Sequence, residues 1–69
     1  MEKLKEFDPI ITLVDKQGIS KGTQGCIVHV YDGYNAYTCE LFDADFNTIG
    51  VKDYEYNEIK KLNDINWFG

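Results

Sequence analysis

The chain has 69 residues, of which 43% are hydrophobic, 14% aromatic and 28% charged, a composition typical of one small globular domain. Twelve acidic residues outnumber seven lysines, and the net charge of −5 argues against an ordinary nucleic-acid binder, which needs cations facing the phosphates. Because no apolar run reaches the length of a membrane helix and the first residues lack the apolar region of a secretory signal, we expect a cytoplasmic protein without membrane contact.

Small size also limits the kind of site that the chain can build. A chain of this length buries about 60% of its unfolded surface, so a deep pocket would take apolar side chains from an already small core. The length therefore favours binding at the surface. Two cysteines, Cys26 and Cys39, are too few for a disulfide scaffold, and their spacing matches no CxxC pattern.

The first half of the chain predicts two strands separated by a long loop. Residues 10–14 are rich in β-branched side chains, and residues 26–31 have the strongest strand pattern. Between them, glycine and polar residues interrupt the pattern repeatedly, which predicts a loop over residues 15–24. Residues 32–35, Asp-Gly-Tyr-Asn, predict a short hairpin turn.

The second half predicts three more strands, over residues 36–42, 48–52 and 59–62. Residues 43–47 form the turn between the first two, and residues 56–58 have the length of one helical turn. Five short strands with tight turns and no long helix predict a small closed or half-open β-barrel that occupies the chain as a single all-β domain, residues 1–69.

Strand periodicity assigns side chains to two faces of the predicted sheet. A turn centred on residues 33–34 pairs Val30 with Tyr37. The same register pairs Val28 with Cys39, and a slip of one residue would exchange the faces. The predicted core face carries Cys26, Val28, Val30, Tyr37, Cys39 and Leu41. The opposite face, either solvated or available to a partner, carries Ile27, His29, Tyr31, Thr38, Glu40 and Phe42.

A longer pattern runs through the second predicted strand. Residues 21–31 read Lys-Gly-x-x-Gly-x-hydrophobic-hydrophobic-x-hydrophobic-Tyr, followed by Tyr-Thr-Cys-Glu-Leu-Phe-Asp at 37–43 and Ile-Lys-Lys-Leu at 59–62. Over about residues 7–62 the chain thereby resembles a family of small bacterial proteins catalogued as a domain of unknown function. It departs from the family at Cys39, where valine is usual, and the 63–69 tail lies beyond the family's end.

The resemblance implies a five-stranded SH3-like barrel with at most one short helical turn. Members of the family look like neighbours of secreted or contact-delivered toxin genes, so the resemblance also implies an immunity role. The matching motifs are glycine turns and core positions. They indicate the fold more strongly than they indicate an activity.

The sequence offers little material for catalysis. His29 is the single histidine and Ser20 the single serine, and no pattern places a nucleophile, a base and an orienting acid together. The two cysteines are predicted to lie diagonally on the core face as inert thiols. We therefore expect a protein that is not an enzyme and has no cofactor.

Two ligand motifs begin and then fail. Gly18 and Gly22 lack the Gly-Lys-Ser/Thr that completes a phosphate loop, and a strand follows them instead of a helix. Residues 43–47, Asp-x-Asp-x-Asn, copy the first three ligand positions of an EF-hand. Thr48 and Tyr54 then stand where that loop needs glycine and glutamate, so we expect an acidic turn and no metal site.

The net charge is concentrated in residues 40–58, which hold six carboxylates and one lysine together with four aromatic residues. Aromatic anchors supply affinity at an interface while charges steer the encounter. The alternative is a solvated acidic edge that keeps the protein soluble. The candidate partner-binding residues are Glu40, Phe42, Asp43, Asp45, Phe46, Asp53, Tyr54, Glu55, Tyr56 and Glu58.

Three functions remain open at this point. The first is an immunity protein or antitoxin that neutralises a cognate basic toxin domain, such as a nuclease, without touching nucleic acid itself. The second is an SH3-like module that binds nucleic acid or another protein, and the third is a small enzyme or accessory subunit. Trp67 and Phe68 near the chain end either cap the barrel or contact a partner, and the oligomeric state is open.

Overall fold

Five β-strands and one 3-10 turn make up the computed structural model of the chain, which describes residues 3–62. The strands are β1 (Pro9–Thr12), β2 (Gln24–Val30), β3 (Ala36–Phe42), β4 (Thr48–Glu55) and β5 (Ile59–Lys61). The 3-10 turn, Asp32–Tyr34, joins β2 to β3. The predicted all-β fold class, with five short strands and at most one short helical turn, is confirmed.

All neighbouring strands pair antiparallel in one sheet with the order β4-β3-β2-β1-β5. β2, β3 and β4 follow one another through short turns, whereas β5 returns to the far side of β1 and places Ile59 opposite Thr12. The 13–23 loop crosses the open side of this curled sheet, where Ile19 packs over Gly50 of β4. Lys16 of the same loop bonds Glu58 at 2.9 Å. The result is a half-open barrel whose two end strands are β4 and β5.

The core lies inside the curl of the sheet. Alternate residues of β3 (Tyr37, Cys39 and Leu41) are fully buried, as the two-residue period of a strand requires. Each large aliphatic side chain buried in this way contributes about 1.5–3 kcal/mol. The complete buried cluster is Leu4, Ile10, Ile19, Ile27, Tyr37, Cys39, Leu41, Tyr54 and Ile59.

A β-bulge in β2 overturns the predicted faces of the three residues 26–28. Val30 pairs with Tyr37 as predicted, but Ile27, and not Val28, pairs with Cys39. The register shifts between Ile27 and His29, and the extra residue re-aims every side chain on its N-terminal side. Ile27 is therefore fully buried, against the prediction, while Cys26 and Val28 are only partly buried.

The bulge also separates the two cysteines. Cys26 pairs with Glu40, next to the pair of Ile27 and Cys39, so the cysteine side chains point to opposite faces of the sheet. The prediction that both lie on the core face is wrong for Cys26. Both are free thiols.

Element boundaries agree best in the middle of the chain. β3 occupies the predicted residues 36–42. β1 begins at Pro9 and ends at Thr12, so it is shifted toward the N-terminus of the predicted strand. β4 continues three residues beyond its predicted end because Tyr54 is buried and Glu55 is exposed, which extends the strand alternation. Residues 56–58 form a tight turn and not a helix, and Glu58 N–H donates to the Glu55 carbonyl at 2.9 Å to close it.

Two glycines flank the start of β2, and the fold requires each of them for a different reason. Gly22 has φ of +91°, as a sharp turn into β2 requires. Gly25 keeps an ordinary strand conformation, and glycine is required there because the neighbouring strand leaves no room for a side chain. A Cβ there would press on the Glu40 carbonyl and lie 2.9 Å from Leu41 Cδ2.

The segment before β1 covers one end of the core. Leu4 is buried, and its N–H donates to Tyr37 Oη at 3.3 Å. Asp8 is 6% exposed and accepts hydrogen bonds from Lys5 N–H at 3.0 Å and Lys5 Nζ at 3.2 Å. Within residues 3–62 no helix has the length and apolar character to cross a membrane. The Trp67 and Phe68 tail lies outside the described residues.

Candidate protein-binding surface

The outer side of β3 and β4, away from the core, collects most of the predicted partner-binding residues. Because Cys39 and Tyr54 point inward, their strand neighbours Glu40, Asp53 and Glu55 point outward. The turn between β3 and β4 adds its exposed side chains at one end. We call this surface the acidic outer face. Its residues are Glu40, Phe42, Asp43, Asp45, Phe46, Ile49, Val51, Asp53 and Glu55.

Tyr54 does not belong to this surface. Its side chain is 1% exposed and packs in the core, with Lys16 Nζ 5.1 Å from the ring centroid. The sequence prediction grouped Tyr54 with its charged neighbours, yet strand alternation turns it to the other side. A partner cannot contact this side chain in the folded protein.

Asp53 occupies the centre of the acidic outer face and is held in place by two hydroxyl groups. Thr38 Oγ1 donates to one carboxylate oxygen at 2.6 Å, and Tyr31 Oη donates to the other at 3.1 Å. The Thr38 hydrogen bond is the largest cause of a lowered pKa for Asp53, with smaller contributions from Tyr31, Lys16 and His29, and burial opposing them. Asp53 is therefore a fixed negative charge with a defined orientation.

The turn between β3 and β4 uses one carboxylate for structure and leaves another for solvent. Asp43 Oδ1 accepts the N–H groups of Asp45 and Asn47, both at 2.9 Å. The Asn47 bond is the main cause of the lowered pKa of Asp43. Among residues 3–62 no hydrogen bond or ion pair engages the exposed Asp45 carboxylate. The side chain of Phe46 is 73% exposed, and its φ of +65° is rare for an aromatic residue.

An open groove beside this turn brings aromatic and aliphatic side chains together. Its volume is about 580 Å³, and its apolar walls are Phe42, Phe46 and Ile49. Ile49 reaches the groove because the register shifts between Leu41 and Phe42. The remaining lining residues are Gly22, Thr23, Gln24, Asp43 and Ala44. The acidic outer face thus has an apolar end next to Asp43 and Asp45.

The turn after β4, at the opposite end of the strand, contributes less to the binding surface than predicted. Glu58 bonds Lys16 Nζ and the Glu55 N–H, each at 2.9 Å. The Glu55 N–H is the largest cause of a lowered pKa for Glu58, followed by the Lys16 ammonium group. Glu58 therefore fastens the turn to the 13–23 loop, while Tyr56, 46% exposed, remains accessible beside it.

The ten predicted residues do not form one compact patch. β4 has eight residues, which at about 3.3 Å per residue separate its ends by about 23 Å. Asp45 lies beyond one end and Tyr56 beyond the other. The acidic outer face is instead a band along the length of the strand.

Sequence reasoning missed two apolar members of this band. Ile49 is 49% exposed and Val51 is 56% exposed. Both were assigned to a strand, but no face was assigned to that strand. The two-residue spacing of Val51, Asp53 and Glu55 was the sequence pattern that could have placed Val51 on the same face as the two carboxylates.

Asp43, Asp45 and Asn47, which resemble the start of an EF-hand, form a turn in which the Asp43 carboxylate accepts the backbone N–H groups of the other two residues. Across the described residues no group of three potential metal ligands comes together. His29 lies on the exposed side of β2, where its ring meets Tyr31 edge-on at 4.9 Å. Ser20 lies in the 13–23 loop, where its carbonyl accepts the Thr12 hydroxyl at 3.0 Å.

Fold and surface together define a small all-β protein with an acidic and apolar band on the outer side of its sheet. Comparisons with protein-family models, with curated proteins and with solved structures found no match to the chain. The resemblance to a family of small bacterial barrels therefore stays a prediction. So does the immunity role that it implies.

Proposed function

We propose that this protein is an immunity protein or antitoxin, which binds a basic protein toxin through the acidic outer face and neutralises it in the cytoplasm. The observation that carries the proposal is the interleaving of fixed and exposed carboxylates with exposed apolar side chains on one side of the sheet. Asp53 and Glu55 alternate along β4 with core residues, and Val51 lies on the same side.

A toxin of the nuclease class suits this surface chemically. A nuclease holds phosphates with cationic side chains, so carboxylates at comparable positions compete for the same cations. Opposite charges accelerate the encounter. Ile49 and Val51 then supply apolar area that charges alone do not, and such area gives an interface much of its affinity.

The alternative, an SH3-like module that binds nucleic acid, has less support. Glu40, Asp53 and Glu55 would face a phosphate backbone with negative charge. Binding of another kind of protein by the same face stays open as an outcome of the experiment.

The experiment is a growth assay with the product of the adjacent gene, induced with and without this protein, together with co-purification of the pair. The test variant is the double change Asp45→Asn with Glu55→Gln, because both side chains are exposed and the Asp45 carboxylate makes no hydrogen bond within residues 3–62. The matched control is Glu6→Gln with Asp32→Asn, which removes two exposed charges outside β3 and β4.

We expect rescue by the wild type and a stable complex. In a kinetic binding measurement on the purified pair at low salt, the test variant should associate about 3–10-fold more slowly than the wild type, and the control at nearly the wild-type rate. Equal rates for both variants would remove the charge mechanism and leave the immunity role standing. If the product of the adjacent gene does not inhibit growth, or if no complex forms, the immunity role itself is contradicted.

A further inference from the structure

β4 is an end strand, and its hydrogen-bond pattern shows which backbone groups face away from the sheet. Tyr56 N–H donates to the Asn35 carbonyl at 3.0 Å, so residues 35 and 56 form a hydrogen-bonded pair. Hydrogen-bonded and non-hydrogen-bonded pairs alternate in an antiparallel ladder. In the observed register, the N–H and C=O groups of Val51, Asp53 and Glu55 therefore point away from β3.

At Glu55, the outward backbone groups are already hydrogen-bonded within the protein. Glu58 Oε1 accepts the Glu55 N–H, and Glu58 N–H donates to the Glu55 carbonyl, both at 2.9 Å. No such contact within residues 3–62 serves the outward backbone groups of Val51 and Asp53. Two residues of β4 therefore offer two donors and two acceptors with the spacing of a strand.

A groove runs along the same stretch. Its volume is about 440 Å³, with Val51, Lys52 and Asp53 on the strand side. Lys16 and Gln17 of the 13–23 loop form the opposite wall, and Thr38 completes the lining. The loop therefore stands beside the free edge and leaves a channel next to it.

We propose that the free edge of β4 binds an extended segment of a protein partner as a sixth, antiparallel strand, and that this segment carries a cation, then an anion, then an aliphatic residue. The inference rests on the proposed function in that the occupant belongs to a protein partner. It adds the mode of binding and the local sequence that is recognised.

The order of side chains follows from the register. A partner residue opposite Asp53 points to the outer side of the sheet and lies near the carboxylates of Asp53 and Glu55, so it is Lys or Arg. The next residue lies opposite Lys52, whose ammonium group makes no ion pair in the described chain, so it is Asp or Glu. The third lies opposite the exposed Val51 and is Val or Ile.

A second copy of this chain fits the edge poorly. The symmetric register that uses both outward residues sets Lys52 directly opposite Lys52 of the other copy. Centring the pair on Asp53 sets two carboxylates opposite each other. Each chain also carries a net charge of −5, which opposes self-association at low salt.

The test uses a synthetic peptide, acetyl-Thr-Thr-Lys-Glu-Val-Thr-Thr-amide, titrated into the ¹⁵N-labelled full-length protein and followed by NMR. The first control exchanges the Lys and Glu of the peptide and so preserves its composition and net charge. The second carries an N-methyl group on the peptide Val, which removes one donor to β4 without changing the protein. Sedimentation of the protein alone measures self-association.

We expect saturable shifts and slower hydrogen exchange at the amides of Val51 and Asp53. The amides of Lys52 and Tyr54 already bond to β3 and should change less. Each control peptide should bind at least about five-fold more weakly.

No shift at Val51 and Asp53 up to about 5 mM peptide, which detects millimolar dissociation constants, overturns the proposal. Equal binding of the exchanged peptide overturns the recognised sequence, and shifts confined to Glu40 and Phe42 overturn the edge as the site. A dimer that protects the same two amides makes a second copy the occupant. The growth assay is independent of all four outcomes, so edge binding and immunity can fail separately.

Discussion

At the scale of single residues, two buried tyrosines make a matched pair. Tyr37 Oη accepts the Leu4 N–H at 3.3 Å, whereas Tyr54 Oη is buried and has no hydrogen-bond partner among residues 3–62. Removing the first hydroxyl leaves a buried donor unpaired, and removing the second relieves an unpaired one. We expect Tyr37→Phe to lower the free energy of unfolding by about 1 kcal/mol and Tyr54→Phe to maintain or raise it. Urea unfolding followed by circular dichroism measures both, and equal losses would contradict the assignment.

The two thiols differ in burial and therefore in reactivity. Burial, with smaller contributions from Cys26 and Asp53, raises the pKa of Cys39 to about 12. At pH 8 about one Cys39 in ten thousand is then a thiolate. Burial and the neighbouring Glu40 also raise the pKa of Cys26, but that side chain is only partly buried.

We expect a disulfide reagent such as Ellman's to label native Cys26 first and Cys39 only on unfolding. In a Cys26→Ser variant, the labelling rate should therefore rise with urea in parallel with the unfolded fraction. Rapid labelling of that variant in buffer would show that Cys39 is accessible in the native fold.

At the scale of the elements, Gly25 tests how closely β2 and β3 approach. A methyl group there would press on the Glu40 carbonyl, which is backbone, and lie 2.9 Å from Cδ2 of Leu41, whose side chain is fully buried. We expect Gly25→Ala to cost about 1–3 kcal/mol through overpacking of the strand pair. Gly22→Ala is the control. The added methyl group has no atom within 4 Å, so the variant should lose only the stability that a φ of +91° costs a residue with a side chain, about 1 kcal/mol. Thermal unfolding of both variants decides whether close approach or φ dominates.

The sequence predicted β3 to the residue because its alternation of buried and half-buried side chains is uninterrupted. It failed in β2 because a bulge adds one residue without changing the composition of the strand, and this placed Ile27 on the wrong face. The prediction of the binding surface failed for a related reason. The concentration of charge indicated residues 40–58, but because no face was assigned to β4, the predicted set included the buried Tyr54 and omitted the exposed Val51.

At the scale of the whole molecule, charge acts in two opposing ways. The negative charges of the compact chain, with a net charge of −5, repel one another, so added salt should raise stability near neutral pH. The opposing effect comes from Asp8. Burial alone would raise its pKa, but the Lys5 N–H and the ammonium groups of Lys5 and Lys61 outweigh burial and lower it below 3.8. The pKa values of Asp43, Asp53 and Glu58 are lowered as well.

A carboxylate whose pKa is lower in the folded state binds protons more readily when unfolded. Its contribution to stability is therefore complete above the unfolded value, 3.8 for Asp8, and is lost as the pH falls through the folded value. We expect the thermal midpoint to stay nearly level from pH 7 to 5 and to fall steeply below about pH 4. Added salt should raise the midpoint at pH 7.

Asp8→Asn isolates the buried carboxylate from the general charge. The variant should be less stable than the wild type at pH 6, because the asparagine cannot pair with both lysines, and the difference should narrow below pH 3.8. Asp45→Asn removes the same charge from the exposed turn and should change the midpoint less. A gap between Asp8→Asn and wild type that stays constant down to pH 2.5 would mean that packing at Asp8, and not its ionisation, is what stabilises the end of the barrel.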